Sequence, residues 1–344
     1  MSLVVGAVMS ALVFAGEPNY SNPVINLKYS TADVCVWENS GIYYLYHTAY
    51  FNRLHILESA NLVDWKDSGK DIFDKETMGI LHQYLKDKGI RDCHGGCESL
   101  WAPHVVRIKD KWNIYFSLAN KGGIFALQSD SSTGPFRFVG EVAALVDHRM
   151  MGWDYDAIDP FVVEDGGKVW LFFGSSFGIY RHQLTDDGLK LAPGDSFALV
   201  VGPTDPEQKV EGKTHGGYEG VFLYKHEDYW YCIVSKRLDY SLYVGRSESI
   251  AGDFIDATGK RLIDGYGTRM NFPTENYPGP GHNGAIIKDK SGHYYIFYHA
   301  WTKDKKGRYD MRKTMLSELV WENGFPHILG HKLEESRNRA PVLR

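Results

Sequence analysis

The sequence has few cysteines, no block of lysine and arginine, and no apolar run long enough to cross a bilayer. Four cysteines in 344 residues cannot supply the disulfide framework of a small secreted scaffold. A net charge of −5 without clustered basic residues excludes the electrostatic footprint of a nucleic-acid-binding protein. The apolar fraction of 43% excludes a disordered chain. We therefore expect a folded protein with no nucleic-acid partner and no membrane span.

The cysteines give little evidence of a metal site. Cys93 and Cys97 flank a short His-Gly-Gly run, but no second ligand pair follows at zinc spacing. We expect two loop thiols, which could close a small disulfide if the protein is exported. Cys35 and Cys232 lie inside apolar strand runs and are expected to fill the core.

The N-terminal segment, residues 1–21, is apolar and has two interpretations. The run from Leu3 to Phe14 has the length and the small-residue exit of a secretory signal, but it lacks a basic start. The alternative is an ordered strand. The protein is secreted or periplasmic in the first case and cytoplasmic in the second, and the sequence leaves both open. Residues 22–344 are expected to form one domain.

Aromatic residues are abundant, at 14%, and they occur in strand-like runs. Period-2 alternation extends from Asp33 to Leu329, bounded by Gly, Asn and Asp turns. Helical spacing is found in one stretch, residues 75–88, where Met78, Leu81 and Leu85 recur at helical offsets. The pattern predicts an all-β protein with one inserted helix.

Five strand groups resemble one another. Their aromatic markers are separated by 68, 58, 60 and 64 residues and are Tyr44, Trp112, Trp170, Trp230 and Tyr294. Each marker strand follows an apolar strand and a short turn. Repeats of several strands at this period predict a five-bladed β-propeller, whereas a sandwich or β-helix would not produce groups at so even a spacing.

Carboxylates recur at one position of this repeat. The residues eleven positions before the markers are Asp33, Trp101, Asp159, Glu219 and Asn283. Equivalent positions in a propeller converge on the central channel, so Asp33, Asp159 and Glu219 are expected to share one pocket. Mutual repulsion there would keep at least one carboxyl protonated near neutral pH.

A protonated carboxyl facing an ionised one is the arrangement that glycoside hydrolysis requires. The alternative is a carboxylate metal loop, and residues 154–156 begin like one, with Asp154, Tyr155 and Asp156. They lack the later acidic ligands and the glycine of such a loop. We therefore interpret them as a polar loop at the channel mouth.

These features resemble glycoside hydrolase family 43 over residues 22 to about 329. The motifs that carry the resemblance are Ala32-Asp33, Trp101-Ala102-Pro103, Ala157-Ile158-Asp159-Pro160, Tyr218-Glu219-Gly220 and Gly279-Pro280-Gly281-His282-Asn283. The Tyr243 to Ser247 run, followed by Ile250-Ala251-Gly252, is similar to the endo-1,5-α-L-arabinanase branch. The resemblance implies a five-bladed propeller that cleaves arabinose- or xylose-containing glycans with inversion.

The resemblance also implies roles for individual residues. Asp33 matches the general base, Glu219 the general acid, and Asp159 the carboxylate that orients the acid and keeps it protonated. Trp101 matches an aromatic wall of the sugar subsite, and Arg312 an arginine near the carboxylates. His282 matches a channel histidine beside a hydrated calcium or sodium ion.

The sequence thus predicts an inverting hydrolase of α-1,5-linked arabinan or arabino-oligosaccharides, with a plant cell-wall glycan as its substrate and no organic cofactor. Two alternatives stay open. One is an exo-acting α-L-arabinofuranosidase or β-xylosidase with the same carboxylates, and the other is a non-catalytic glycan-binding propeller. Residues 68–100 form an insertion between the first two blades, and their effect on endo or exo action is not fixed by the sequence.

Overall fold

A computed structural model describes residues 19–50, 55–87, 99–118, 123–143, 157–175, 177–203, 217–333, 335 and 338–343. The chain enters through β1 (Asn19–Tyr20). Blade I follows and consists of β2 (Cys35–Asn39), β3 (Ile42–Tyr46), β5 (His55–Ser59) and β6 (Lys66–Asp71), whereas β4 (Ala49–Tyr50) joins the next sheet. The helix α1 (Lys75–Asp87) separates blade I from blade II in the chain.

The remaining blades repeat the same antiparallel meander. Blade II adds β7 (Ser99–Ile108), β8 (Lys111–Leu118), β9 (Ile124–Ser129) and β10 (Arg137–Ala143) to β4. Blade III comprises β11 (Phe161–Asp165), β12 (Lys168–Ser175), β13 (Gly178–Leu184) and β14 (Ala198–Val201). Blade IV comprises β15 (Tyr218–His226), β16 (Tyr229–Lys236), β17 (Leu242–Ser247) and β18 (Thr268–Arg269). Blade V comprises β19 (Gly281–Lys288), β20 (Tyr294–Lys303), β21 (Tyr309–Glu322) and β22 (Phe325–Ile328), and β23 (Asn338–Arg339) follows.

The predicted five-bladed β-propeller with a helical insertion is therefore confirmed. Each aromatic marker strand is the second strand of its blade, where both faces are covered by neighbouring blades. Cys35 and Cys232 are buried in this core, as the apolar runs predicted. Within the described residues, no helix is long and apolar enough to span a bilayer.

The helix begins and ends close to the predicted bounds. The Asp74 carboxylate accepts the Thr77 N–H at 2.8 Å, which caps the first turn. Leu81 is buried, and Tyr84 contacts Glu141 of β10 at 3.2 Å, so the helix packs on the outer edge of blade II. The insertion is shorter than the sequence suggested, because residues 68–71 belong to β6 of blade I.

The ring is closed by the N-terminal segment. Asn22 exchanges side-chain hydrogen bonds with the main chain of Leu316 in β21, at 2.7 and 2.9 Å. Further along, the Thr31 and Thr314 hydroxyls bond at 2.8 Å, and β1 pairs with β23. The segment that precedes blade I is thus bonded to β21 of blade V.

The first strands of the five blades, β2, β7, β11, β15 and β19, surround the central axis. A cavity of about 500 Å³ lies between them, lined mainly by apolar side chains. The strands approach closely: a Cβ on Gly284 would lie 1.5 Å from the Val34 carbonyl oxygen. Only glycine fits where blade V meets blade I at this level.

Candidate active site

The five inner strands enter the channel through the same unusual backbone conformation. Just before or within the start of each strand, one residue has a positive φ of 48–64°, and these residues are Asp33, Ala102, Asp159, Gly220 and His282. Such a conformation is costly for residues other than glycine and concentrates at functional sites. It is repeated in every blade, so it is a built feature of the channel mouth.

The N–H groups of four of these residues bond to side chains of the preceding blade. Ala102 donates to Thr48 Oγ1 at 2.9 Å, Gly220 to Asp159 Oδ2 at 3.1 Å, and His282 to Ser235 Oγ at 2.6 Å. The Asp33 N–H donates in the same way to His299 Nδ1 of blade V at 3.0 Å. The positions of the functional side chains are therefore set between blades.

This geometry corrects the repeat register drawn from the sequence. A constant offset of eleven residues selects Asp33 and Asp159 correctly, but it selects Trp101 and Glu219 one residue before the equivalent position and Asn283 one residue after it. The reason is that β7, β15 and β19 each contain a register shift near their start. Glu219 thus differs from the two aspartates in its place on the strand.

Asp33 is held by four groups. The Thr48 hydroxyl donates to its Oδ2 at 2.6 Å. Its Oδ1 lies 3.2 Å from His282 Nδ1 and 3.4 Å from an Arg312 guanidinium nitrogen, and His299 Nδ1 accepts the Asp33 main-chain N–H. Burial opposes a charge here, but Arg312 and His282 outweigh it and hold the pKa of Asp33 well below its ordinary value. Asp33 is therefore an ionised carboxylate at neutral pH.

Asp159 differs from Asp33 in having a raised pKa. Burial, together with the negative charges of Glu219 and Asp33, raises its pKa to about 7, although His282 at 4.0 Å and the Gly220 N–H favour the ionised form. Because Asp159 binds the N–H of the residue after Glu219, it fixes the main chain that carries the Glu219 side chain. A proton is thus available beside Glu219 near neutral pH.

Glu219 is the most accessible of the three carboxylates. Its side chain is 18% exposed, against 9% for Asp33 and Asp159. Ser175 Oγ donates to Glu219 Oε2 at 2.8 Å, and Arg237 Nε lies 3.5 Å from the same oxygen. One oxygen is therefore held by the protein, and the carboxyl group sits at the channel mouth.

His282 lies between the carboxylates. Burial alone would lower its pKa, but Asp33 and Asp159 outweigh burial and raise it to about 9. Gly220 makes room for its ring, since a Cβ there would lie 2.8 Å from His282 Cγ. The imidazolium balances part of the negative charge in the pocket.

The structure brings five of the six predicted residues into one electrostatic network: Asp33, Asp159, Glu219, His282 and Arg312. Trp101 is partly exposed and directly precedes Ala102, whose N–H bonds to Thr48 of blade I. Residues 154–156, Cys93 and Cys97 lie outside the described residues, as do residues 1–18.

Several site residues were missed by the sequence reasoning. Thr48, Ser175, Ser235 and His299 lie four or five positions after the aromatic markers, so the repeat held a signal for them. Tyr240 gave no such signal. It has a φ of 58°, its ring stacks on His299 at 5.4 Å, and burial and the three carboxylates raise its pKa well above the ordinary value.

The residues around His282 fit the predicted calcium or sodium ion only in part. Within the described residues, no group of three or more His, Cys, Asp or Glu side chains is arranged to hold a metal. His282 turns Nδ1 toward Asp33, whereas Asn283 has both amide atoms buried without a partner. The residues do not fit a fully protein-ligated ion, but Asn283 fits one held mainly through water.

Comparisons with known proteins agree with this architecture. The extracellular endo-α-(1→5)-L-arabinanase of Thermotoga petrophila is 26% identical over 84% of this chain and 69% of its own length. Endo-α-(1→5)-L-arabinanase 1 of Bacillus subtilis is 26% identical over 79% of both chains. The extracellular exo-α-(1→5)-L-arabinofuranosidase of Cellvibrio japonicus is 28% identical over 67% of this chain and 70% of its own length.

Solved structures share the fold. The α-L-arabinanase of Cellvibrio cellulosa in complex with arabinohexaose superposes with a TM-score of 0.71 at 23% identity, covering 87% of this chain and 95% of that one. The model of the glycosyl hydrolases family 43 matches residues 20–326. The channel with its three carboxylates and the match over almost the entire chain lead to one conclusion: the protein belongs to glycoside hydrolase family 43.

Proposed function

We propose that this protein hydrolyses α-1,5-linked arabinan with inversion, by direct attack of a water molecule on the anomeric carbon. The observation that carries the proposal is the placement of an ionised Asp33, an Asp159 with a pKa raised to about 7, and the more exposed Glu219 in one channel mouth. Curated relatives described as endo-α-(1→5)-L-arabinanases support arabinan as the substrate. A site that only hydrogen-bonded sugar hydroxyls would not need the network of Asp33, His282 and Arg312.

Asp33 is the general base in this proposal. Its hydrogen bond from Thr48 and its contacts with His282 and Arg312 fix the carboxylate and keep it ionised. An ionised carboxylate can accept a proton from water as the water attacks the sugar. His299 supports this role from behind, because its Nδ1 accepts the Asp33 N–H and it is fully buried.

Glu219 is the general acid and Asp159 its positioning partner. Glu219 is the carboxyl that reaches the accessible side of the site, where the leaving-group oxygen would lie. Asp159 accepts the N–H of the adjacent Gly220, and its pKa of about 7 lets it hold a proton beside Glu219 near neutral pH. After the leaving oxygen is protonated, Glu219 is left ionised beside Arg237 and Ser175.

Arg312 and Trp101 are proposed to contact the sugar in the cleavage site, and Asn283 to face a hydrated calcium or sodium ion beside His282. Such an ion would supply positive charge near the carboxylates, in place of the proton that His282 carries when no ion is bound. Elemental analysis of the purified protein tests this, since a calcium content well below one atom per chain, with no sodium dependence of activity, would contradict it.

The pH profile provides a test of Asp33 through its neighbour Arg312. The value of kcat/KM falls as pH drops through the pKa of the base, because only the ionised base accepts a proton. Arg312 lowers that pKa, so Arg312→Gln is expected to shift the acidic limb toward higher pH. Arg312→Lys keeps the charge and is expected to shift the limb less. An acidic limb that is the same in wild type and Arg312→Gln would contradict Asp33 as the base.

The products formed from linear α-1,5-arabinan test the function. We expect a mixture of arabino-oligosaccharides at early times and, by NMR, initial release of the β-anomer from the α-linkage. Release of arabinose alone, or turnover restricted to aryl arabinofuranosides or xylosides, would favour the exo-acting alternative. Binding of arabinan without any hydrolysis would favour the glycan-binding propeller.

A further inference from the structure

The hairpin of blade V extends beyond the channel mouth. β20 has 10 residues, whereas the second strands of the other blades have 5 to 8. His299 pairs with Gly281 at the start of β19, and the chain then continues through residues 300–303 and returns in β21. The additional residues of the hairpin therefore project from the side of the propeller where Asp33 and Glu219 lie.

Two aromatic rings line this extension and connect to the base. The Arg312 guanidinium is 3.4 Å from Asp33 and lies 5.6 Å from the centre of the Trp301 ring. The Trp301 and Tyr309 rings stack with centroids 5.9 Å apart and an interplanar angle of 17°. A continuous series of neighbouring side chains therefore leads from the reacting centre toward solvent, through Asp33, Arg312, Trp301 and Tyr309.

The outer end of this path is open. Tyr309 is 65% exposed, Trp301 is partly exposed, and the Arg312 side chain is 30% exposed. The hairpin tip is fixed, since Asp304 Oδ1 accepts the N–H groups of Lys306 and Arg308 at 2.8 and 2.9 Å. One face of the Tyr309 ring packs on Trp301, and most of the rest of the side chain is exposed to solvent beside the channel mouth.

We propose that Trp301 and Tyr309 form a distal sugar-binding subsite, which takes a furanose ring of the glycan chain outside the pair of sugars at the cleaved bond. The inference rests on the proposed function and adds a binding site to it. A neutral sugar ring presents C–H groups that pack against an aromatic face, and its hydroxyls stay in water at an exposed site. The subsite gives the enzyme a preference for longer chains.

Tyr309→Ala removes the exposed ring, and Tyr309→Phe keeps it as the matched control. For Tyr309→Ala we expect KM on linear arabinan to rise about 3–10-fold, with kcat changed much less. A change of this size corresponds to the free energy typical of one aromatic contact. The ratio of kcat/KM on arabinohexaose to that on arabinotriose is expected to fall by a similar factor. Tyr309→Phe should keep the wild-type ratio.

Binding measured without turnover provides the second readout. In the Glu219→Gln background, calorimetric titration with arabinohexaose should give a Kd about 3–10-fold higher when Tyr309→Ala is added. Suppose that Tyr309→Ala changes neither the Kd nor the ratio of kcat/KM on arabinohexaose to that on arabinotriose, while the wild-type protein cleaves arabinan. That result would overturn the subsite alone. Wild-type protein that neither binds nor cleaves arabinan would overturn the proposed function, and the subsite with it.

Discussion

Replacing Asp33 with asparagine is expected to lower kcat on linear arabinan by about 10²–10⁴-fold, the range that a positioned general base contributes. Asparagine has nearly the same shape and can still accept the Thr48 hydrogen bond, but it cannot take a proton from water. The variant should remain folded, with a circular dichroism spectrum like that of the wild type. Initial rates of reducing-sugar release measure the effect.

A matched control separates catalysis from burial. Asp289 is also buried and accepts main-chain N–H groups, from Ser291 and His293, but it caps a turn of blade V away from the carboxylates. Asp289→Asn should keep kcat close to the wild-type value even if it lowers the melting temperature. If Asp33→Asn retained wild-type turnover, or if the two variants lost activity equally, Asp33 would not be the base.

Glu219→Gln is expected to reduce kcat on arabinan to a similar extent, about 10²–10⁴-fold, because the leaving oxygen of a sugar needs a proton. The size of the loss should depend on the leaving group. A dinitrophenol departs as a stable anion without protonation, so the dinitrophenyl glycoside of arabinotriose should recover most of the lost rate in Glu219→Gln. The same substrate should not rescue Asp33→Asn, since the water must still be activated.

Glu318 supplies the control for this variant. Its side chain is 15% exposed and pairs with Arg339 at 2.6 Å, a setting close to that of Glu219 with Arg237. Glu318→Gln should leave turnover of both substrates near the wild-type values. A loss in Glu219→Gln that is equal for arabinan and for the dinitrophenyl glycoside would argue that Glu219 has a structural or binding role.

The register of the inner strands shows where sequence reasoning reached its limit. Counting back from the aromatic markers found Asp33, Asp159 and Glu219 because the distance between the first and second strands varies little among blades. It placed Glu219 in the same position as the aspartates, since a register shift of one residue leaves no clear mark in the sequence. The left-handed residue of blade IV is Gly220, which leaves space for the His282 ring.

The sequence by itself determined the number of blades, the place of the helix and the set of carboxylates, because these depend on repeated patterns and on residue type within short segments. Only the tertiary structure decided that Asp33 is ionised and that Asp159 has a pKa of about 7. The low pKa of Asp33 comes from Arg312 and His282, which lie about 250 or more residues from Asp33 in the chain and within 3.5 Å of it in space. The raised pKa of Asp159 comes from burial and from the charges of Glu219 and Asp33, which belong to other blades. Electrostatic interactions and burial depend on spatial distance, and a sequence pattern contains no measure of that distance.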